Sequence, residues 1–92
     1  MAKATDQQIK EFLIANSSWS LVNGRLEKTS QFANFARAMV FVNRAVNPIE
    51  ENQNYPMITI TYNRVKVGLF THTEGAISDK DLLVAKEMEE LV

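Results

Sequence analysis

Asn23-Gly24, set between two short runs that alternate apolar and polar residues, is the feature that most constrains how this chain can fold. Both residues tolerate the positive φ that a type I′ turn demands, so the pair predicts a tight hairpin. Trp19 and Leu21 share one side of the arriving strand, and Leu26, Lys28 and Ser30 to Phe32 carry the returning one. A second alternating pair follows: Ile58, Ile60 and Tyr62, a tight turn at Asn63-Arg64, then Val65, Val67 and Leu69 between Lys66, Gly68 and Phe70. Such alternation is the signature of half-buried strands.

Helical patterns precede, separate and follow these hairpins. Thr5 and Gln8 are spaced as a capping box, and Ile9, Phe12 and Leu13 form one stripe over residues 5–15, which Asn16-Ser17-Ser18 ends. Residues 33–46 read as the longest helix, with Phe35, Met39, Val42 and Val46 as its apolar stripe and Ala38 and Ala45 beside it. Asn47-Pro48 is expected to end or kink that helix, because proline disfavours the α region at the preceding residue. Residues 73–77 read as loop. Ser78 opens the last helix, with Asp79 and Asp81 complementing the dipole of its first turn and Leu82, Ala85 and Met88 on its buried side. Hairpins are antiparallel, so the order predicts an α+β fold: one antiparallel sheet with helices on one face. The apolar Val65–Leu69 strand, whose one charge is Lys66, is expected at an exposed edge that invites pairing with another chain.

At 92 residues the chain is read as a single domain, 1–92, with a modest core. A net charge of −1 gives no general attraction to nucleic acid or anionic membrane. The absence of cysteine excludes disulfides and thiolate chemistry, and one histidine argues against zinc. The stretch from Met1 to Asp6 lacks the apolar core of a signal peptide, and the longest apolar run, Ala38 to Val42, cannot span a bilayer. The expected location is the cytoplasm, with no metal and no cofactor.

One constellation carries chemical meaning. Glu50 is followed after three residues by Asn54-Tyr55-Pro56, then by Tyr62-Asn63 and by Thr71-His72. This spacing resembles the pterin-4a-carbinolamine dehydratase family, whose pattern reads Glu, three residues, His-His-Pro, a strand with Tyr-Asn, and a later Thr-His. The resemblance runs from Trp19 to the end of the chain. It implies four strands backed by three helices, and assembly through sheet edges and helix packing. Two departures stand out: Asn54 and Tyr55 occupy the places of the histidine pair, and Pro48 sits where the family's helix continues.

The family's reaction removes water from a hydroxylated tetrahydropterin, taking a proton from a ring nitrogen and giving one to the departing hydroxyl. Imidazoles suit that exchange, because their ordinary pKa of about 6.5 lies near working pH. An amide does not titrate, and a phenol with a pKa near 10 is ionised to roughly one part in a thousand at neutral pH. The resemblance therefore implies vestigial pocket positions at Glu50, Asn54, Tyr55, Pro56, Thr71 and His72, with no catalytic residue among them. Read without it, His72 is an ordinary hydrogen-bonding residue at a strand end, and Glu50-Glu51 a solvated charge pair.

Catalytically degenerate members of this family are Rubisco assembly factors, in chloroplasts and in bacteria that carry α-type carboxysomes. The resemblance accordingly implies a non-enzymatic assembly chaperone, carboxysome-associated, whose partner is the Rubisco large subunit and whose own state is a homodimer or dimer of dimers. Arg37 and Arg44, seven apart on one helical face, and Arg64 and Lys66 on the second hairpin are candidates for the partner contact, or plain solubilising charges. The alternative is an active dehydratase with acid–base work moved to Glu50, Tyr55 and His72. A third reading is another protein-binding role, since one family member is a dimerisation cofactor for a homeodomain transcription factor.

Overall fold

Thr5 opens the first helix as expected. Its hydroxyl accepts from the Gln8 N–H at 3.1 Å, and the Gln8 side chain accepts from the Thr5 N–H at 2.8 Å. The computed structural model describes residues 2–92. The elements in order are α1 (Asp6–Ala15), β1 (Ser20–Val22), β2 (Arg25–Gln31), α2 (Phe35–Asn52), β3 (Met57–Thr61), β4 (Arg64–Leu69) and α3 (Asp79–Glu89). Asn23 and Gly24 take φ of 51° and 77°, so the first hairpin closes where the sequence puts it. The second closes one residue early. Thr61 pairs with Arg64, and Tyr62 leaves its predicted strand to take a φ of 51° in the turn.

The four strands form one antiparallel sheet in the order β1-β2-β4-β3. This overturns the edge assignment: β4 lies between β2 and β3, and the edges are β1 and β3. The apolar composition of Val65–Leu69 reflects interior placement, with Val65, Val67 and Leu69 all buried. The three helices cover that side, and the core joins Trp19, Leu26, Phe41, Ile49 and Ile77 to the strand residues. Truncating a fully buried side chain such as Leu69 to alanine would cost about 2–5 kcal/mol. The other side of the sheet, carrying Thr29, Thr59, Thr61, Arg64 and Lys66, is exposed.

α2 departs from expectation twice. It runs through Pro48 to Asn52, although proline gives up the N–H that would bond the Arg44 carbonyl. Ala45 and Ile49 are buried on either side of the proline, and Asn52 Nδ2 donates to the Pro48 carbonyl at 2.8 Å. Core packing across the proline outweighs the lost hydrogen bond. The second correction concerns the stripe. The face turned to the core is Ala38, Phe41, Ala45 and Ile49, whereas Phe35 and Val46 are 51% and 47% exposed.

Candidate functional site

The C-terminal end of α2 sets the geometry of the motif. Gln53 adopts a left-handed φ of 48°, and its N–H and that of Asn54 return to carbonyls of the last turn. That reversal turns Asn54 inward and Tyr55 outward: Asn54 is 4% exposed and Tyr55 62%. On the far side, β4 ends and the chain bends back through an isolated bridge between Thr71 and Ala76, with Gly75 at φ 62°. This delivers Ile77 and Ser78 to the start of α3.

A single buried carboxylate ties these pieces together. Asp81 is fully buried in the first turn of α3. Its Oδ1 accepts from Asn54 Nδ2 at 2.9 Å, and its Oδ2 accepts from the Thr71 hydroxyl at 2.8 Å and from the Ser78 N–H at 2.8 Å. The last bond is half of a capping box whose other half is the Ser78 side chain. Among the described residues Asp81 has no cationic partner; neutral donors alone satisfy it. Asn54 and Thr71 therefore act as its donors, and neither is presented to solvent as a pocket wall.

The remaining motif residues lie outside. Glu50 and Tyr55 are both exposed, and the neighbouring carboxylate raises the phenol's pKa above its usual 10.0, with slight desolvation acting the same way. That makes Tyr55 a poorer acid and its phenolate scarcer still at neutral pH, opposite to what activation requires. Pro56 is half-buried and starts the path into β3. His72 is exposed, with its ring edge-on to Phe70 at 5.3 Å between centroids. Among the described residues no hydrogen bond joins its imidazole to Glu50, Asn54 or Tyr55. The structure thus unites Asn54, Thr71 and Asp81, sets Glu50 beside Tyr55, and turns His72 edge-on to Phe70.

The basic candidates also separate. Arg37 and Arg44 lie on α2, beside a cleft of about 160 Å³ next to Leu91 and Val92. Arg64 and Lys66 lie on the uncovered face of the sheet with Thr29, Thr59 and Thr61, and Lys66 is paired with Glu27 at 3.5 Å. They do not form one patch. A larger hollow, of about 430 Å³, involves none of the motif residues; Ile9, Leu13, Ile14 and Leu21 give it an apolar lining.

The sequence reading took Asp81 for a dipole-complementing charge only. Two signals mark it as more: it stands three residues after the capping serine, and it extends the buried line of Ala85 and Met88 by one turn. A second hub was also missed. Glu89, at the end of α3, accepts from Ser18 Oγ at 2.9 Å, from Trp19 Nε1 at 2.8 Å and from the Lys28 ammonium.

Residues 2–91 match the family described as Pterin 4 alpha carbinolamine dehydratase. A relative from Thermomicrobium roseum, named "Putative pterin-4-alpha-carbinolamine dehydratase", is 40% identical over 91 residues, covering 99% of this chain and 98% of its own. A relative of the same name from Sulfurisphaera tokodaii is 41% identical over 93 residues, covering 100% and 99%. Among solved structures, a transcriptional coactivator/pterin dehydratase from Brucella melitensis superposes with a TM-score of 0.90 at 27% identity, covering 97% of each chain. A pterin dehydratase-like protein described as a RuBisCO assembly factor in the alpha-carboxysome superposes with a TM-score of 0.67 at 22% identity, covering 80% of this chain and 88% of that one. The last likeness is one of fold.

Proposed function

The chain belongs to the pterin-4-alpha-carbinolamine dehydratase family, and from that premise we propose that it is a non-enzymatic member acting through protein contact, as an assembly factor for Rubisco. One observation carries the non-enzymatic part. Where the family's pattern has a histidine pair, this chain has an amide held on a buried carboxylate and a phenol whose pKa a neighbouring carboxylate raises. Neither group titrates near neutral pH, and general acid–base help is typically worth ~10²–10⁴ in rate. His72, a single imidazole, does not replace a pair.

The Rubisco part is supported by the solved relative described as an assembly factor, which shares this fold. The relatives named as dehydratases favour the alternative, an active enzyme with Glu50, Tyr55 and His72 as its acid–base set. Stopped-flow measurement on the carbinolamine separates the two: turnover within tenfold of a His-His-Pro member would overturn the non-enzymatic reading. Co-expression with a Rubisco large subunit should raise the yield of assembled enzyme, which would be carboxysome-associated. Unchanged yield, with no large subunit recovered in pull-downs, moves the other protein-binding role ahead.

A homodimer or dimer of dimers belongs to the same proposal. Its support is the exposed Phe35 and Val46 on α2 and the two open sheet edges β1 and β3. Light scattering at micromolar concentration should report more than one chain, and a folded monomer would contradict it. No helix among the described residues is long and apolar enough to cross a membrane.

A further inference from the structure

α2 has three differently furnished sides. Ala38, Phe41, Ala45 and Ile49 face the core. At 3.6 residues per turn, Phe35, Met39, Val42 and Val46 lie about a quarter turn to one side, and Arg37, Val40 and Arg44 about a quarter turn to the other. On the arginine side, Phe32, Val40, Phe41 and Leu91 line the cleft of about 160 Å³ with Arg37 and Arg44 beside them. That space equals roughly five liquid waters, enough for one apolar side chain and too little for a helix.

The charges there are unanswered. Lys66 is held by Glu27, Lys28 by Glu89, and Arg25 lies 6.0 Å over the Phe70 ring. Among the described residues neither Arg37 nor Arg44 has an ion pair or an aromatic partner. Seven helical residues put their Cα atoms about 10 Å apart along the axis. A guanidinium pairs with a carboxylate through two parallel N–H donors, and arginine beside aromatic side chains is the composition that protein interfaces favour.

We infer that this cleft receives a short acidic segment of a partner protein, with one apolar side chain seated between two carboxylates that pair with Arg37 and Arg44. A nucleic acid is a poorer match: its backbone calls for a broad basic field, and the net charge here is −1. The inference deepens the assembly-factor reading and rests on it only for which protein carries the segment.

The probe is a fluorescein-labelled peptide with a central Leu-Phe pair flanked on each side by Asp and Glu, titrated with the full chain and read by polarisation. Saturable binding is expected, weakened by salt, with amide shifts in ¹H–¹⁵N spectra at Phe32, Val40, Phe41 and Leu91. Arg37→Glu with Arg44→Glu should weaken it about tenfold or more, as should Asn and Gln in place of the peptide's acids, or Ala in place of its apolar pair. Arg64→Glu with Lys66→Glu should leave it unchanged. If the Arg37 and Arg44 reversal alters the circular dichroism spectrum, the Gln pair takes its place. Equal affinity for that variant, equal affinity for the Ala peptide, or shifts confined to residues 59–66 would overturn the inference. Peptide binding without any gain in Rubisco yield removes the assembly reading and leaves the inference standing. A yield gain that survives loss of both arginines does the reverse.

Discussion

Replacing Asp81 with alanine tests whether the old catalytic corner is now a structural lock. The side chain is fully buried and receives hydrogen bonds from Asn54, Thr71 and Ser78 at 2.8–2.9 Å. In Asp81→Ala the Thr71 hydroxyl can still turn to Ser78 Oγ, 2.8 Å away. Among the described residues the Asn54 amide keeps no such substitute, and the Ser78 N–H loses its bond to the carboxylate. A stranded buried donor costs about 1–3 kcal/mol, and losing that bond and with it half of the capping box adds to it. The expected loss is about 3–5 kcal/mol, out of the ~5–14 kcal/mol that a domain of this length holds. At ~4–8 °C per kcal/mol, the melting point should fall on the order of 15–30 °C. Asp81→Asn should cost only about 1–2 kcal/mol, because Asn54 can flip and present its oxygen to the new amide. Urea titrations followed by circular dichroism, at one protein concentration because assembly shifts apparent stability, give these differences. The sharper test is a double-mutant cycle. Asn54→Ala should cost about 1–3 kcal/mol in the parent and close to nothing beside Asp81→Ala. An Asp81→Ala loss below about 1 kcal/mol, or an equal Asn54→Ala cost in both backgrounds, would refute the lock.

Glu89 supplies a pH test. Burial alone would raise its pKa, but hydrogen bonds from Lys28, Ser18 and Trp19 and the Lys28 charge bring it below the usual 4.5. A carboxylate held down in the folded state stabilises fully above its unfolded pKa and loses that contribution as pH falls through the folded one. Stability should therefore decline below about pH 4.5 more steeply in the parent than in Glu89→Gln; parallel curves would contradict the geometry. Glu50→Gln should lower the ultraviolet titration midpoint of Tyr55, since the Glu50 charge is the largest cause of its elevation, and an unmoved midpoint would separate the pair. Pro48→Ala should stabilise the chain by about 1–2 kcal/mol, the restored helix favouring alanine by ~3 kcal/mol and the freer unfolded chain returning part of it. A destabilised variant would show that α2 depends on the proline ring for packing.

What the sequence disclosed was whatever residues decide locally. Asn23-Gly24, the Thr5–Gln8 box and the Ser78 cap act within four residues, and each stands where it was expected. Strand order was hidden because the β2–β4 pairing joins Leu26 to Leu69, and no local signal announces so distant a partner. The end of α2 was misjudged because Pro48 is a local penalty, overridden by the burial of Ile49 beyond it. Its stripe was misjudged because two apolar faces share the helix, and only the sheet and α3 determine which is covered. At the site, the spacing from Glu50 to His72 was legible, but the inward turn of Asn54 depends on the left-handed Gln53 and on a carboxylate 27 residues away.

The interior position of β4 also bears on how the protein is made. A ribosome has delivered β1, β2 and all of α2 before the strand that must sit against β2 exists. At ~5–20 residues per second, residues 53 to 69 take about one to three seconds to synthesise, before the delay of the exit tunnel. Through that interval Ala38, Phe41, Ala45 and Ile49 have no finished sheet to cover, and the β2 edge is open to any passing strand. The nascent chain is therefore stickiest midway through translation, until Val65, Val67 and Leu69 take their place between β2 and β3.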